Sequence, residues 1–401
     1  MMATQELYFI SATTQATDPD TAVDDLLAQI AQQQMDPETP FDLVLLYMSV
    51  DYLPNAQPIA QAIYKRLVPT PPTVLMGGVA EGVIGPGKEY EGEAAITMVA
   101  GVMPDVTLTP FVMGNVEMSQ YLQDPAEMQT HLGLPETSKL TLLLGDPFST
   151  PIEGVLNVFN TLYPGVPLMG GMLSAALSQG GNGLFMNGMY VNEGAVGVVI
   201  NGDVSVDVIV SQGCRPVGNP FTITEAEGNV INSIENQPPP MFVQQIYDTF
   251  TEQEKALLQN GLYLGRAVRT GSDEVGLGDF LIRGVLGIDR QTHGMIVGDI
   301  IEAGETAQFH LRDGVTAGED LEMLLIPQGF VDPPAAVFLF NCNGRGTHMY
   351  DQPNGDISRI EDAVGSVPIA GFFAGGELGP IGDTNFLHGH TACMVFIRAA
   401  S

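Results

Sequence analysis

The chain has 401 residues, 45% of them hydrophobic, which is enough for two or three domains with substantial cores. Only 14 lysines and arginines face 47 aspartates and glutamates, and the net charge of −33 argues against nucleic acid or an anionic membrane as partner. The sequence has no run of 18 apolar residues, and its first cation is Lys65, so we expect neither membrane insertion nor a signal peptide. Three cysteines, Cys214, Cys342 and Cys393, are typical of reduced thiols, which predicts a cytoplasmic protein.

The first predicted elements follow one order. An amphipathic helix over 20–35, with Asp20 as its expected N-cap, precedes an apolar strand over 43–48. A helical connection leads to a second strand that ends in glycine at 73–78. A glycine-rich loop and a final strand over 95–99 follow. Because the apolar runs are continuous and not alternating, we expect strands that are buried on both faces.

This order recurs twice more along the chain. The second copy has strands at 140–144, 166–171 and 195–200, with a helix over 150–163, and the third copy has strands at 336–340, 367–372 and 392–397. The strand start and the glycine lie 34, 30 and 34 residues apart, from Leu43 to Gly77, Leu140 to Gly170 and Val337 to Gly371. The spacing predicts three strand–helix–strand–loop–strand repeats.

The middle of the chain has a different pattern. Three prolines at 238–240 predict a linker, because proline blocks both helix and strand pairing. A helix over 248–262 begins with a Thr251–Glu254 capping box, and 280–311 predicts a strand meander before a short helix at 317–325. We therefore predict an α/β protein with mixed parallel and antiparallel sheets and two domains, 1–235 with two repeats and 236–401 with the meander and the third repeat.

The third repeat carries polar residues where the first is apolar. Aligning the two glycine loops places Glu377 over Val83, and the first strand of the third copy runs into Asn341, Cys342, Asn343 and Arg345. Ligands of open α/β sheets bind beyond the carboxyl ends of the strands. The predicted ligand-binding residues are therefore Asn341, Cys342, Asn343, Arg345, Gly376, Glu377 and Gly379.

Residue chemistry suggests what these side chains bind. Arg345 could hold a carboxylate through two parallel hydrogen bonds, and Glu377 could accept from an ammonium group. Asn341 and Asn343 would contact polar groups, and backbone N–H groups of the Gly375–Gly379 loop could add anion contacts. The pair would then read both ends of a free amino acid. The alternative is a structural ion pair between Arg345 and Glu377.

Two further chemistries are open. A nucleophilic Cys342 would need a nearby base such as His348, His388 or His390, whereas the simpler interpretation is a small residue that ends a strand. His388 and His390 lie on one side of a strand and could bind a metal together with Cys342 or Glu377. No CxxC, HExxH, EF-hand or nucleotide motif occurs, so we predict no metal and no cofactor.

The segments Asn341–Gly346, Val367–Pro380 and the closing HGHTA resemble the C-terminal half of the FIST family, as does 280–313. LVLLYMS and MGGVAEGVIGPGKEYE resemble the FIST N-terminal domain, so the resemblance covers about residues 20–397. It implies a FIST N-terminal-like domain over 1–235 and a FIST C-terminal-like domain over 236–401. Members are regarded as small-ligand sensory modules, with amino acids as suspected ligands, and no catalytic residues carry over.

These observations predict a sensory protein that binds an amino acid or similar small polar metabolite in intracellular signal transduction, with a signalling protein as possible partner. Enzymatic activity is the less favoured interpretation. The alternatives are a thiol-dependent hydrolase or transferase that uses Cys342 and a scaffold whose acidic surface docks a basic protein.

Overall fold

The computed structural model describes residues 6–268 and 276–400, which fall into two compact units. One unit comprises Met1–Val210, Glu322–Leu387 and Thr391–Ser401, and the other comprises Ser211–Leu321 and His388–His390. This division differs from the linear one at residue 235. The reason is topological, because the third repeat already begins with a strand that ends at Gln212, ahead of the middle segment.

The first repeat supplies four strands of one sheet, in the order β1-β6-β2-β3, in which only β2 and β3 run parallel. Helices α1 and α2 pack against each other beside it. The N-cap of α1 is Asp18, two residues before the predicted Asp20, because the Asp18 carboxylate accepts from the Thr21 N–H at 2.9 Å. The elements are β1 Tyr8–Thr14, α1 Pro19–Gln33, β2 Leu43–Ser49, α2 Ala56–Arg66, β3 Val74–Ala80, β4 Val83–Gly85, β5 Lys88–Tyr90 and β6 Ile96–Val102.

The second repeat builds the equivalent sheet in the order β7-β12-β8-β9. Its crossover helix α5 buries Val155, Leu156 and Phe159. The elements are β7 Val106–Met113, α3 Asn115–Tyr121, α4 Pro125–Leu132, β8 Leu140–Gly145, α5 Ile152–Leu162, β9 Leu168–Met172, β10 Leu184–Met186, β11 Met189–Val191 and β12 Ala195–Gly202.

The middle segment forms a closed barrel, ordered β14-β15-β18-β17-β16-β19, after strand β13. The sequence predicted only its later strands, and the proline linker is a misinterpretation. Pro239 and Pro240 form the first turn of α6, where a missing N–H costs no helical hydrogen bond. The elements are β13 Val204–Gln212, β14 Cys214–Glu227, β15 Val230–Ile234, α6 Pro239–Tyr247, α7 Glu252–Leu257, β16 Tyr263–Ala267, β17 Phe280–Ile288, β18 Met295–Val297, β19 Thr306–Arg312 and α8 Gly314–Leu325.

The third repeat completes a sheet ordered β13-β24-β20-β21, so the three repeats share one topology. The predicted fold class, with mixed sheets and three repeats, is confirmed. Short 3₁₀ turns connect some elements, among them Val50–Asn55, Ile326–Phe330 and Gly346–His348. The remaining elements are β20 Ala336–Cys342, α9 Gly355–Val364, β21 Ile369–Ala374, β22 Glu377–Ile381, β23 Thr384–His388 and β24 Thr391–Ala399.

Each repeat gives a hairpin to the sheet of another repeat. Hairpin β4–β5 of the first repeat pairs with β21, β10–β11 of the second pairs with β3, and β22–β23 of the third pairs with β9. Each sheet therefore has six strands from two repeats. The inner faces share one apolar core, in which Tyr47 meets Phe372 at 5.0 Å between ring centroids and Phe9 meets Phe338 at 5.9 Å.

The glycines of the repeated motif have a steric role. Gly77, Gly170 and Gly371 each lie on the second strand beside the first strand of their own repeat. A Cβ atom at any of them would collide with the carbonyl oxygen of Leu46, Leu143 or Leu339, respectively. The repeat therefore needs glycine there for close approach of two parallel strands.

Candidate functional site

The connections that follow the second strands of all three repeats meet at one place. The Glu81 N–H donates to Ser174 Oγ at 2.9 Å, and the Ser174 hydroxyl donates to the Phe373 carbonyl. The Gly375 N–H donates to the Met172 carbonyl at 2.8 Å. Because β2, β8 and β20 run parallel to the second strands of their repeats, their carboxyl ends point in the same direction as those loops. Sequence comparison of the repeats predicted such an edge.

Glu377 is the most unusual side chain at this edge. It begins β22, pairs with Gly171 of β9 and has no exposed surface. Its Oε2 accepts from the Thr391 N–H at 3.1 Å and from the Thr391 hydroxyl at 2.8 Å. Its Oε1 is buried and accepts no hydrogen bond from the part of the chain that the structure describes. One carboxyl oxygen therefore accepts two hydrogen bonds, while the other has no hydrogen-bond partner among the described residues.

The protonation of Glu377 follows from its surroundings. Burial raises the pKa of Glu377 from 4.5 to about 8, outweighing the opposite effects of the Thr391 hydrogen bonds, the Arg345 charge and the nearby Cys342 thiol. At neutral pH the group is therefore mostly a neutral carboxylic acid.

Arg345 lies in a buried cluster with an acid that the sequence analysis did not select. Its Nε and Nη2 donate to the two carboxylate oxygens of Asp356 at 2.8 and 2.6 Å, and both side chains have no exposed surface. Nη2 also donates to the Tyr350 hydroxyl at 2.7 Å, and that hydroxyl donates to Asp356 at 2.7 Å. Burial alone would lower the pKa of Arg345, but the Asp356 charge outweighs it, so the guanidinium stays charged.

This cluster bears on the predicted role of Arg345. The two parallel hydrogen bonds that could hold a ligand carboxylate go to Asp356, so a ligand would have to displace that buried carboxylate. Asn341 also belongs to the cluster, because its Nδ2 donates to Asp356 at 2.8 Å, while its Oδ1 is buried without a hydrogen bond from the described residues. The geometry supports a positioning role for Arg345 at the end of β20.

Glu89 ties the cluster to the first repeat. It lies on β5, is buried, and its Oε1 accepts from the Asp356 and Ile357 N–H groups, each at 2.9 Å, so it caps the first turn of α9. Burial and repulsion from Asp356 raise the pKa of Glu89 to about 7. The neighbouring Glu91 accepts from the Thr347 N–H at 3.0 Å. Side chains of the hairpin thus hold the β20–α9 connection, which no local sequence pattern could predict.

The remaining predicted residues lie on β20, on β22 or in the loops beside them. Cys342 ends β20 with 6% of its surface exposed, and its Sγ accepts from the Gly344 N–H at 3.4 Å. Asn343 is exposed and donates to Glu81 at 3.3 Å. Gly376 has a φ of +139°, and Gly379 lies against Cys393, where a Cβ would be 3.3 Å from the sulfur. Gly379 is inside β22, two residues past Glu377, whereas the other predicted residues are at the ends of strands or in the loops that follow them.

The histidines considered for catalysis or metal binding occupy other surroundings. His348 is 65% exposed and lies 3.9 Å from Glu91, and His390, in the barrel unit, packs edge-on against Tyr263 at 4.5 Å between ring centroids. Over 6–268 and 276–400, no three histidine, cysteine or acidic side chains are arranged to hold a metal ion. Within the same ranges, no helix has the length and apolarity to span a membrane.

Comparison with known proteins places the chain among relatives of similar length. A model of the FIST N domain matches residues 42–237, and a model of the FIST C domain matches residues 242–380. An uncharacterised Mycobacterium tuberculosis protein is 36% identical over 329 residues, covering 80% of this chain and 83% of its own. An uncharacterised Mycobacterium bovis protein is 33% identical over 371 residues, covering 91% and 92%.

Two solved structures are distantly similar to the chain. A cyanuric acid hydrolase from A. caulinodans aligns over 98% of this chain and 99% of its own, with 9% identity and a TM-score of 0.38. A second cyanuric acid hydrolase aligns with 11% identity over 99% of this chain and 100% of its own, with a TM-score of 0.30.

Proposed function

Because the chain belongs to the FIST family, we propose that it is a small-ligand sensory protein that binds an amino acid or a similarly small polar metabolite. FIST domains are associated with sensory signal transduction. The ligand would bind at the carboxyl ends of β20 and β21, and occupancy would be passed to a signalling protein in the cytoplasm. The proposed binding residues are Asn341, Cys342, Asn343, Arg345, Gly376, Glu377 and Gly379.

One observation carries this proposal. Glu377 is fully buried at the edge where the loops of three repeats meet, yet one of its oxygens accepts no hydrogen bond from the described residues. A buried polar atom without a partner lowers stability by about 1–3 kcal/mol, so its presence at a strand edge is evidence for a partner supplied from outside. A small polar ligand is the simplest such partner.

The other residues have supporting roles in this proposal. Asn343 is exposed and would offer its amide to the ligand, while the nearly buried Cys342 at the end of β20 would contact it. Arg345, held by Asp356, would fix the loop that carries Asn343 and would act as a positioning residue.

A dye-based thermal-shift screen with the twenty amino acids and common small metabolites tests this proposal. The chain has no tryptophan, so a dye is preferable to intrinsic fluorescence. A ligand at a hundred times its Kd adds about 2.7 kcal/mol, which corresponds to roughly 3–5 °C in Tm at an unfolding entropy of about 2.1 cal/mol/K per residue. For any hit, Asn343→Ala should weaken binding about fivefold, since it removes a hydrogen bond of about 1 kcal/mol.

Asn157→Ala is the matched control, because Asn157 is an exposed asparagine on α5 that is not among the proposed binding residues. Its ligand shift should equal that of the unaltered chain. A silent panel, or a hit that both asparagine variants affect equally, would contradict a ligand site at this edge.

A further inference from the structure

We infer that Glu377 acts as a hydrogen-bond donor to the ligand, so that the ligand presents an oxygen acceptor to it, a carbonyl or a carboxylate, and not an ammonium group. This inference rests on the proposed function only in placing a ligand beside Glu377. Residue chemistry alone suggests the opposite direction of the hydrogen bond, in which an ionised Glu377 accepts from an amine.

The hydrogen bonds of Glu377 determine where its proton lies. Thr391 donates to Oε2 twice, through its N–H and its hydroxyl, so Oε2 is the carbonyl oxygen of the acid. The proton is then on Oε1, the atom without a partner among the described residues. Oε1 therefore has a hydrogen to donate and needs an acceptor.

No ion pair among the described residues compensates an ionised Glu377, and burial outweighs the effect of the Arg345 charge. The part of the chain that the structure describes contains no ion pair with this carboxyl group, and the Arg345 guanidinium is bound through two hydrogen bonds to Asp356. A fully buried carboxylate without a paired cation is strongly disfavoured, so the neutral acid is the stable form.

Two titratable groups around Glu377 oppose the neutral acid, but burial outweighs both. Cys342 on β20 and Arg345 in the following loop lower the pKa of Glu377, and a third group, Cys393, lies beside Thr391 on β24. Burial raises the pKa of the Cys393 thiol, so this neighbour is neutral as well. Asp356 forms an ion pair with Arg345 and balances the charge of its guanidinium.

Ligand chemistry follows from the neutral acid. A carboxylate ligand would accept the Oε1 proton in a short, charge-assisted hydrogen bond, and a carbonyl would accept a neutral one. A primary ammonium group has three donors and no acceptor, so it could not accept the Oε1 proton and would meet only the weakly accepting hydroxyl oxygen. For an amino acid, the carboxylate end would therefore point at Glu377.

Binding should depend on pH in one direction. Because the ligand needs the Glu377 proton, affinity should be constant below pH 7 and fall toward tenfold per pH unit above about pH 8, the pKa of the free group. A site with an ionised Glu377 and an ammonium ligand would behave oppositely, gaining affinity as pH rises through that pKa.

Two variants of the full chain separate the alternatives. The probes are alanine, pyruvate and ethylamine, with the matching 2-oxo acid and amine of each amino acid that shifts Tm. We expect the 2-oxo acids to bind and the amines to cause no shift in Tm.

Glu377→Gln keeps a donor, so its affinity for the ligand should stay within about threefold of the unaltered chain and should not fall at pH 9. Glu377→Ala should lose at least tenfold. Binding of the amines, or loss of binding in Glu377→Gln, would overturn the inference.

A measurement without ligand distinguishes failure of the donor assignment for Glu377 from failure of the proposed ligand-binding function. The infrared carbonyl stretch of a protonated carboxylic acid, in the spectrum of the unaltered chain minus Glu377→Gln, should be present at pH 6, fall to about half near pH 8 and disappear by about pH 10. Its absence at pH 6 would overturn the donor assignment whatever the panel shows. A panel with no shift and a clear band would instead reject the ligand site and leave a protonated, structural Glu377.

Discussion

The ion pair between Arg345 and Asp356 shows how a buried charge is tolerated in this protein. Three side chains satisfy one another, because Tyr350 donates to the carboxylate and accepts from the guanidinium. The sequence marks Arg345 through its place in a glycine-rich turn. It does not mark Asp356, because the choice of partner depends on how α9 docks over the end of β20. Residue types could therefore predict that Arg345 follows the end of a buried strand but not its hydrogen-bond partners.

Arg345→Met should lower the free energy of unfolding by about 3–5 kcal/mol, because it leaves the buried Asp356 carboxylate without a cation. Arg66→Met is the control, since Arg66 pairs with Asp24 at the surface, with side chains 50% and 65% exposed, and should lose at most about 1 kcal/mol. Urea unfolding followed by circular dichroism measures both. Equal losses in the two variants would show that the buried pair contributes no more than a surface pair.

Among the elements, the exchanged hairpins are the feature that sequence reasoning missed. Strands β10 and β11 have three residues each, too few to show periodicity or to define a partner. Their docking relies on side chains at the turn or nearby. Asn187 accepts from the Leu75 N–H at 2.8 Å, and Asn385 of β23 accepts from the Leu168 N–H at 2.8 Å. The long apolar strands, by contrast, were predictable, because every residue of β2, β8 and β20 is buried.

Asn385→Ala should detach the β22–β23 hairpin locally from β9. The change removes the acceptor of the Leu168 N–H and the donor to the Val166 carbonyl at 2.9 Å, and we expect a loss of about 2–3 kcal/mol. Amide hydrogen exchange should accelerate at Leu168 and along β22, while exchange in β2 stays unchanged. Asn157→Ala is again the control, and uniform acceleration throughout the chain would indicate global destabilisation instead.

At the scale of the whole molecule, the exchange of hairpins makes the repeats interdependent. The sheet of the second repeat is complete only with β22 and β23, whose residues lie between 377 and 388. Hairpin β4–β5 of the first repeat joins a sheet through its pairing with β21 of the third repeat. A strand edge that loses its partner exposes backbone groups and apolar side chains. Two repeats alone therefore leave both an incomplete sheet and an unpaired hairpin.

A fragment over residues 1–203, which contains the first two repeats, should therefore not fold into a stable monomer. We expect aggregation, or a broad thermal transition at least 15 °C below that of the full chain. In the fragment, β9 lacks its neighbouring strand β22, and the shared apolar core lacks Phe338, Phe340 and Phe372. Size-exclusion chromatography and thermal circular dichroism measure this. Co-expression with residues 204–401 should restore a sharp transition, since the missing strands return as a separate chain. A monomeric fragment that melts cooperatively near the full-chain Tm would contradict this prediction. It would mean that the hairpin of each repeat can pair with the sheet of its own repeat.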